Sequence, residues 1–292
     1  MILQRNNNLS VLPFYPWDKQ NEMNHNRPYA YGAVYPLYTP LGNVPPFQIL
    51  LPHTSTALGG ASLERVSDGA LEDITTKMVN AGLQKTSFNT DYDVILFPSE
   101  SPSNLTIAEG QYILHVWLAD ETEWVSDIFT VIADVSGMIL LRWYDYSTFE
   151  MDGGGIFYAG VFKNTLWLPT LLGKPDYDFT EEGETRDGYF FPEKQISEKR
   201  YKCNILAPEY LCDVMRLIRM SDVVEVIDNY GNQYRCDTFL MTPKWQDQGD
   251  LASVDIEFTT DTVAKKVGRG YIYGNYGDFN DDYNNDFNNN DN

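Results

Sequence analysis

Apolar and polar residues alternate with a period of two through much of the chain, and Gly, Pro, Asp and Ser interrupt the alternation at short intervals. Residues 91–98 (DYDVILFP), 111–118 (QYILHVWL) and 124–132 (WVSDIFTVI) are rich in β-branched and aromatic side chains and bounded by turn formers, so each predicts a strand. Leu105, Gly110, Tyr112, Leu114 and Val116 follow one another as at a sandwich end, where a tyrosine turns the corner into a strand. Residues 47–135 therefore predict an immunoglobulin-like β-sandwich. Only 71–83 within it has helical character, with Gly82 as its stop.

Residues 136–268 predict a second, α+β unit suited to assembly. It opens with a strand at 138–144 (MILLRWY), and the triplet Gly153, Gly154, Gly155 reads as a hairpin turn, because no Lys-Ser, Lys-Thr or helical pattern follows it. After 162–168 the chain reads as loop-rich up to Tyr201, and the mixed-charge stretch 181–199 reads as an interaction loop. The clearest helix is 208–220, with Pro208 and Glu209 at its start and Leu211, Val214, Met215, Leu217 and Ile218 on one face. A strand at 223–227, a turn at 228–232, a return strand at 233–241 and a final strand at 251–259 complete a sheet crossed by one helix. The fold class is mainly β with some α.

Both ends differ from this pattern. Residues 1–46 are crowded with proline, which lacks a backbone donor and biases its predecessor to extended geometry, so they predict an extended arm without regular elements. The arm's aromatics, foremost Phe14, Tyr15 and Trp17, are expected to dock on a neighbour. Residues 269–292 are largely Asp and Asn and predict a solvated tail, whose Tyr276, Phe279, Tyr283 and Phe287 become anchors in an assembly. With Tyr189, Phe190 and Phe191 of the loop, these form the candidate interface set.

Charge narrows the partners. Against 21 Lys and Arg stand 42 Asp and Glu, a formal net charge of −21, which disfavours a phosphate-neutralising surface and sequence-specific nucleic-acid binding. No apolar run reaches the length of a signal-peptide core or a membrane span, so a cytoplasmic origin without membrane insertion is expected. Cys203, Cys212 and Cys236 lack the spacing of a disulfide framework or a zinc site and read as small buried hydrophobes.

Catalytic signatures are sparse. His25, His53 and His115 stand apart in sequence, with His115 read as a satisfied strand position. No nucleophile elbow, HExxH, P-loop or dinucleotide fingerprint occurs. Glu181, Glu182, Glu184 and Asp187 supply the carboxylates a glycosidase would need, but Arg186, Lys194, Lys199 and Arg200 stand ready to pair with them. Trp117, Trp124, Trp143 and Trp167 offer a glycan-stacking alternative, against which stands the usual burial of strand tryptophans. The Asp/Asn tail matches no EF-hand loop. No catalytic, cofactor-binding or metal-ligating residue is assigned, and no cofactor or enzymatic activity is expected.

Three stretches carry a family likeness: LWLPTLLGKPDYDF at 166–179, EEGETRDGYFFPEKQISEKRYKCNILAPEYLCDVMRLIRMSD at 181–222, and FLMTPKWQDQGDLASVDIEFTTDTVAKKVG at 239–268, with GQYILHVW and WVSDIFTV upstream. The chain resembles structural proteins of tailed bacteriophages that infect Bacteroidota, the crAss-like phages among them. The resemblance implies a non-enzymatic virion component of the tail, collar or connector, made in the host cytoplasm. It implies a cyclic homo-oligomer of about 6 or 12 copies around the DNA channel, touching portal, ring or tail proteins.

Overall fold

The extended, proline-punctuated sequence leaves little room for long helices. The computed structural model describes residues 10–17, 37–98, 105–145, 162–245 and 251–266. Among them run β1 (Phe14–Pro16), β2 (Tyr38–Pro40), β3 (Phe47–Pro52), β4 (Leu58–Arg65), β5 (Ala70–Asp73), α1 (Thr75–Asn80), β6 (Gln84–Ser87), β7 (Tyr92–Phe97), β8 (Gly110–Leu118), β9 (Glu123–Ser126) and β10 (Phe129–Ile132). There follow β11 (Ile139–Tyr144), β12 (Asn164–Leu168), β13 (Asp176–Arg186), β14 (Tyr189–Pro208), α2 (Glu209–Ile218), β15 (Val223–Ile227), β16 (Gln233–Arg235), β17 (Thr238–Trp245) and β18 (Leu251–Lys266). The protein is mainly β with few helices and several sheets.

Two compact units divide the chain, Met1–Lys174 with Tyr201–Thr260 and Pro175–Arg200 with Asp261–Asn292. In the first, an eleven-stranded sheet follows the path β1-β9-β8-β10-β2-β12-β11-β15-β16, with β4 on β8 and β5 on β4. The strands of 47–135 divide between this sheet and a three-stranded sheet ordered β3-β7-β6. The chain does not divide at 135/136 as the sequence suggests. The reason is β2, which pairs in parallel with β10 through Thr130↔Tyr38, Val131↔Thr39 and Ile132↔Pro40 and meets β12 at Trp167↔Tyr38, joining the two halves in one sheet.

The expected N-terminal arm is corrected at the same time. Among the described residues of 1–46, β1 lies antiparallel on β9, with Phe14↔Ser126, Tyr15↔Val125 and Pro16↔Trp124 as partners. Phe14 is 1% exposed, its ring 4.7 Å from that of Phe47, and Val11 and Leu12 are buried beside it. Proline withholds donors but not side-chain burial, and burial places this segment.

Other elements form for reasons readable in their residues. Phe47, Ile49 and Leu51 of β3 and Ile95 and Phe97 of β7 enter the main core, while Val94 and Leu96 on the opposite face of β7 pack with Phe88. The tyrosine corner is present: Tyr112 Oη donates to Ala108 O at 3.1 Å across Gly110. The helical stretch 71–83 shortens to α1, since 70–73 pairs with β4 instead, and Gly82 at φ +107 ends the following turn. Helix α2 begins after Pro208 in an extended conformation, carries Glu209 in its first turn and Arg216 in its last, and buries Leu211, Cys212, Val214, Met215 and Ile218. The return strand after 227 breaks at Cys236 and Asp237 into β16 and β17, and β17 pairs with β18 from Thr238↔Thr259 to Trp245↔Ala252.

Truncating Phe14 tests whether β1 is core. Phe14→Ala is expected to lower the unfolding free energy by about 3 kcal/mol in urea, as for other buried phenylalanines, with Trp17→Ala, half exposed, costing well under 1 kcal/mol. Equal, small effects would return the segment to a free arm.

Candidate functional site

The stretch expected to be an irregular interaction loop is a regular hairpin. Strand β13 pairs with the first part of β14 from Asp176↔Arg200 to Arg186↔Tyr189. Asp187 and Gly188, both at positive φ (52° and 83°), form the two-residue turn, the geometry for which Asp-Gly is the strongest short signal. The register shifts between Glu182 and Gly183, where β14 carries an extra residue. Only glycine fits there, because a Cβ on Gly183 would collide with the Phe191 carbonyl oxygen and with Pro192 Cα.

The hairpin has no buried face. Tyr177 is 73% exposed, Phe179 62%, Tyr189 72% and Phe190 49%, and Phe191 is half-buried. Directly opposed residues share a face and successive residues alternate, so Tyr177, Phe179 and Phe190 fall on one side and Tyr189 and Phe191 on the other. Among the described residues β13 pairs with nothing on its other edge. The hairpin thus combines exposed aromatics with a strand edge that pairs with no other described strand.

The four carboxylates weighed for glycoside chemistry lie along this hairpin and are exposed. Gln195 Nε2 donates to Glu181 at 2.6 Å, Lys194 lies 4.0 Å from Glu182, and Arg186 holds Glu184 through its Nε at 2.9 Å. Asp187 is the turn residue. Lys199 pairs with Asp261 at 2.8 Å and Arg200 with Asp178. Each carboxylate is wet or paired, as expected of a solvated charge run.

Two polar clusters lie in the first unit. Asp93 of β7, 1% exposed, accepts from Lys85 Nζ at 2.7 Å, the Thr54 backbone N–H at 2.9 Å and His53 Nδ1 at 2.9 Å. Lys85 Nζ also donates to Thr54 O at 2.7 Å, so the cluster ties the loop after β3 to the three-stranded sheet. Burial pushes the Asp93 carboxyl upward, but its hydrogen bonds outweigh that and hold it at about 2. The second cluster centres on His115 of β8, buried, with Nδ1 2.7 Å from Glu123 and Nε2 3.0 Å from Glu64, under the Trp17 ring at 5.8 Å. It is a satisfied strand histidine, and sequence reading found neither its partners nor those of Asp93, which converge from separate strands.

Of the other anticipated positions, Phe14 is core and Tyr15 half-buried, while Tyr276, Phe279, Tyr283, Phe287 and the triplet at 153–155 lie outside the described residues. Trp143 and Trp124 are buried, which removes them as sugar platforms. Trp167 lines, with Tyr38, Asn43, Thr165 and Phe97, a cavity of about 110 Å³. Burial raises Cys203 and Cys236 to about 12 and Cys212 to about 11, and all three are free thiols. Among the described residues no group of His, Cys, Asp or Glu is arranged to hold a metal ion, and no helix is long and apolar enough to cross a membrane.

Neither protein-family models nor curated proteins give a match to this chain.

The Asp93 cluster sets a pH dependence. A carboxyl at about 2 when folded and near 3.8 when unfolded contributes stability that is fully present above about pH 4 and lost as pH falls through 2. Asp93→Asn is expected to cost about 3 kcal/mol at neutral pH by stranding Lys85, and to flatten the acid limb of stability in urea titrations from pH 2 to 7. An unchanged acid limb would place the pH dependence elsewhere.

Proposed function

We propose that this protein is a non-enzymatic structural protein that assembles with copies of itself into a ring, as a component of the tail or collar of a tailed bacteriophage. The observation that carries the assembly reading is the hairpin of β13 and β14, with Tyr177, Phe179, Tyr189 and Phe190 in solvent and one edge of β13 without a strand partner among the described residues. Chains bury such aromatics and edges against neighbours, and cyclic symmetry satisfies every copy alike. The virion reading is supported by the resemblance carried in 166–179, 181–222 and 239–268. It gives an expected membership in a ring around the DNA channel with portal, ring or tail proteins as neighbours.

Net charge fits that location. A chain with 42 acidic and 21 basic residues gains nothing from phosphates, and acidic walls let DNA pass without the cation contacts that would retard it. The virion location is tested by gold-antibody labelling of particles in the electron microscope. Label at the head-tail junction or along the tail is the expected result, and unlabelled particles with the epitope exposed would refute it.

A receptor- or glycan-binding tail appendage is the second reading, favoured by the cavity where Trp167 and Tyr38 meet across strands beside Asn43 and Thr165. Saturable binding on a glycan array, abolished by Trp167→Ala, would move the weight to it.

Sedimentation tests the assembly reading directly. The full chain is expected to sediment as a large oligomer, and Tyr177→Ser with Phe190→Ser to shift it toward monomer with an unchanged circular dichroism spectrum. Each lost anchor should weaken the contact by about 2 kcal/mol, roughly 30-fold. A wild-type chain that remains monomeric as its concentration rises would overturn ring formation.

A further inference from the structure

We propose that the outer face of β4, β8 and β9, where Trp17 and Trp117 flank the carboxylates of Glu64 and Glu123, is a docking site for an arginine side chain of a partner protein. The site is separate from the hairpin of β13 and β14 and stands whether or not copies of the chain form a ring.

Strand alternation builds the face. Leu114 and Val116 of β8 enter the core, so His115 and Trp117 point the other way, as does Glu64 beside core Leu63. His115 Nδ1 lies 2.7 Å from Glu123 and Nε2 3.0 Å from Glu64, so each carboxylate gives one oxygen to the ring. The Glu64 and Glu123 side chains are 29% and 28% exposed, within reach of a ligand from solvent. Two carboxylates against one imidazole stay net negative whether the ring carries one proton or two. Glu123 stands between two indoles. Trp117 is its register partner across β8 and β9, and Trp17, half exposed, holds its ring 5.8 Å from that of His115. The Trp117 indole rests against Gly59 and Gly60, where a Cβ on either glycine would collide with it. Exposed Leu71 of β5 lies opposite Glu64 as its register partner.

Arginine matches each of these parts. A guanidinium stacks on an indole face by cation–π attraction, donates to carboxylates in a planar fork, and lays its methylene stem on apolar neighbours such as Leu71. An ammonium supplies the charge but neither the plane nor the fork. Charge complementarity assigns the arginine to a different protein rather than to a second copy. Acidic residues outnumber basic ones by 42 to 21, and Arg65, Arg142, Arg186, Arg200 and Arg216 are already held by carboxylates of their own chain. A basic partner supplies cations that a second acidic copy does not, and the negative field of the chain steers it in.

Titration of the full chain with a synthetic peptide of alternating glycine and arginine tests the site, followed by the indole N–H resonances in nuclear magnetic resonance. Saturable shifts of the Trp17 and Trp117 signals are expected, with Trp245, exposed on β17, unmoved. Replacing arginine by citrulline, its neutral isostere, should abolish the shifts, and replacing it by lysine should weaken binding by about tenfold. Trp17→Ala and Glu123→Gln should each weaken binding of the arginine peptide by about tenfold. Trp17→Ala leaves the His115 cluster in place should Glu123→Gln disturb it. The hairpin variant Tyr177→Ser with Phe190→Ser should bind the peptide as the wild type does, which separates this face from the assembly reading. Equal binding of lysine and arginine peptides, or of wild type and Trp17→Ala, would overturn the site in favour of diffuse attraction to an acidic chain. Indole shifts that appear on concentrating the chain without peptide would give the face to a second copy. Shifts produced by a neutral oligosaccharide and not by the arginine peptide would give it to a glycan, and either result overturns the proposal.

Discussion

Three phenylalanine rings hold the first unit's parts to one another. Phe47 lies 4.7 Å from Phe14 and 5.8 Å from Phe97, so one ring of β3 touches the N-terminal strand on one side and β7 on the other. Short strands have little ladder to hold them: β1 and β2 contain three residues each, too few for backbone pairing alone to repay the cost of ordering them. Their positions follow from the apolar side chains around them, Val11, Leu12 and Phe14 for β1, and Leu37 and Val44 for β2. Burial of the ends thereby determines the joining of the middle, because β2 carries the hydrogen bonds between β10 and β12.

What the sequence revealed follows from which patterns have one solvent face. The strands 110–118 and 139–144 alternate because one side is core, 92–97 reads as a continuous apolar run because both its faces are buried, and α2 declares itself through Leu211, Val214, Met215 and Ile218. The hairpin of β13 and β14 has two wet faces, so its charged positions carry no alternation and resemble a loop. The signal that identifies it is local, Asp187-Gly188 between β-forming flanks with Gly183 where a side chain cannot fit. The three-residue strands of the proline-rich segment leave no periodic trace, since three residues establish no period. Of the interface residues singled out, Tyr189 and Phe190 stand exposed on the hairpin and Phe14 does not, a distinction made by Phe47, 33 residues away in sequence.

The polar clusters illustrate the same limit from another side. His115 and Asp93 look unremarkable in their strands, yet each is surrounded by partners brought in by cross-strand pairing, Glu64 and Glu123 for the one, Lys85, His53 and Thr54 for the other. Both ring nitrogens of His115 and both oxygens of Asp93 have partners among neighbouring protein groups. A buried carboxylate that accepts from Lys85, His53 and a backbone N–H is committed to holding a loop, and it reads as architecture rather than chemistry.

An exposed edge invites any strand, so its charges decide which one it accepts. β13 carries Asp176, Asp178, Glu181, Glu182 and Glu184 against a single cation, Arg186. Two such edges brought together by a two-fold axis would set acid against acid, with like charges opposed across the strands. The same edge meeting a different surface that supplies cations loses that penalty and still buries Tyr177 and Phe179. In the proposed assembly, a contact through β13 would thus be biased away from the isologous dimer and toward a head-to-tail contact. Head-to-tail contacts either close into rings or run on as filaments, and the rotation at the contact decides between them. Under the proposed assembly, the acidic composition of β13 therefore argues for a cyclic arrangement over a symmetric pair.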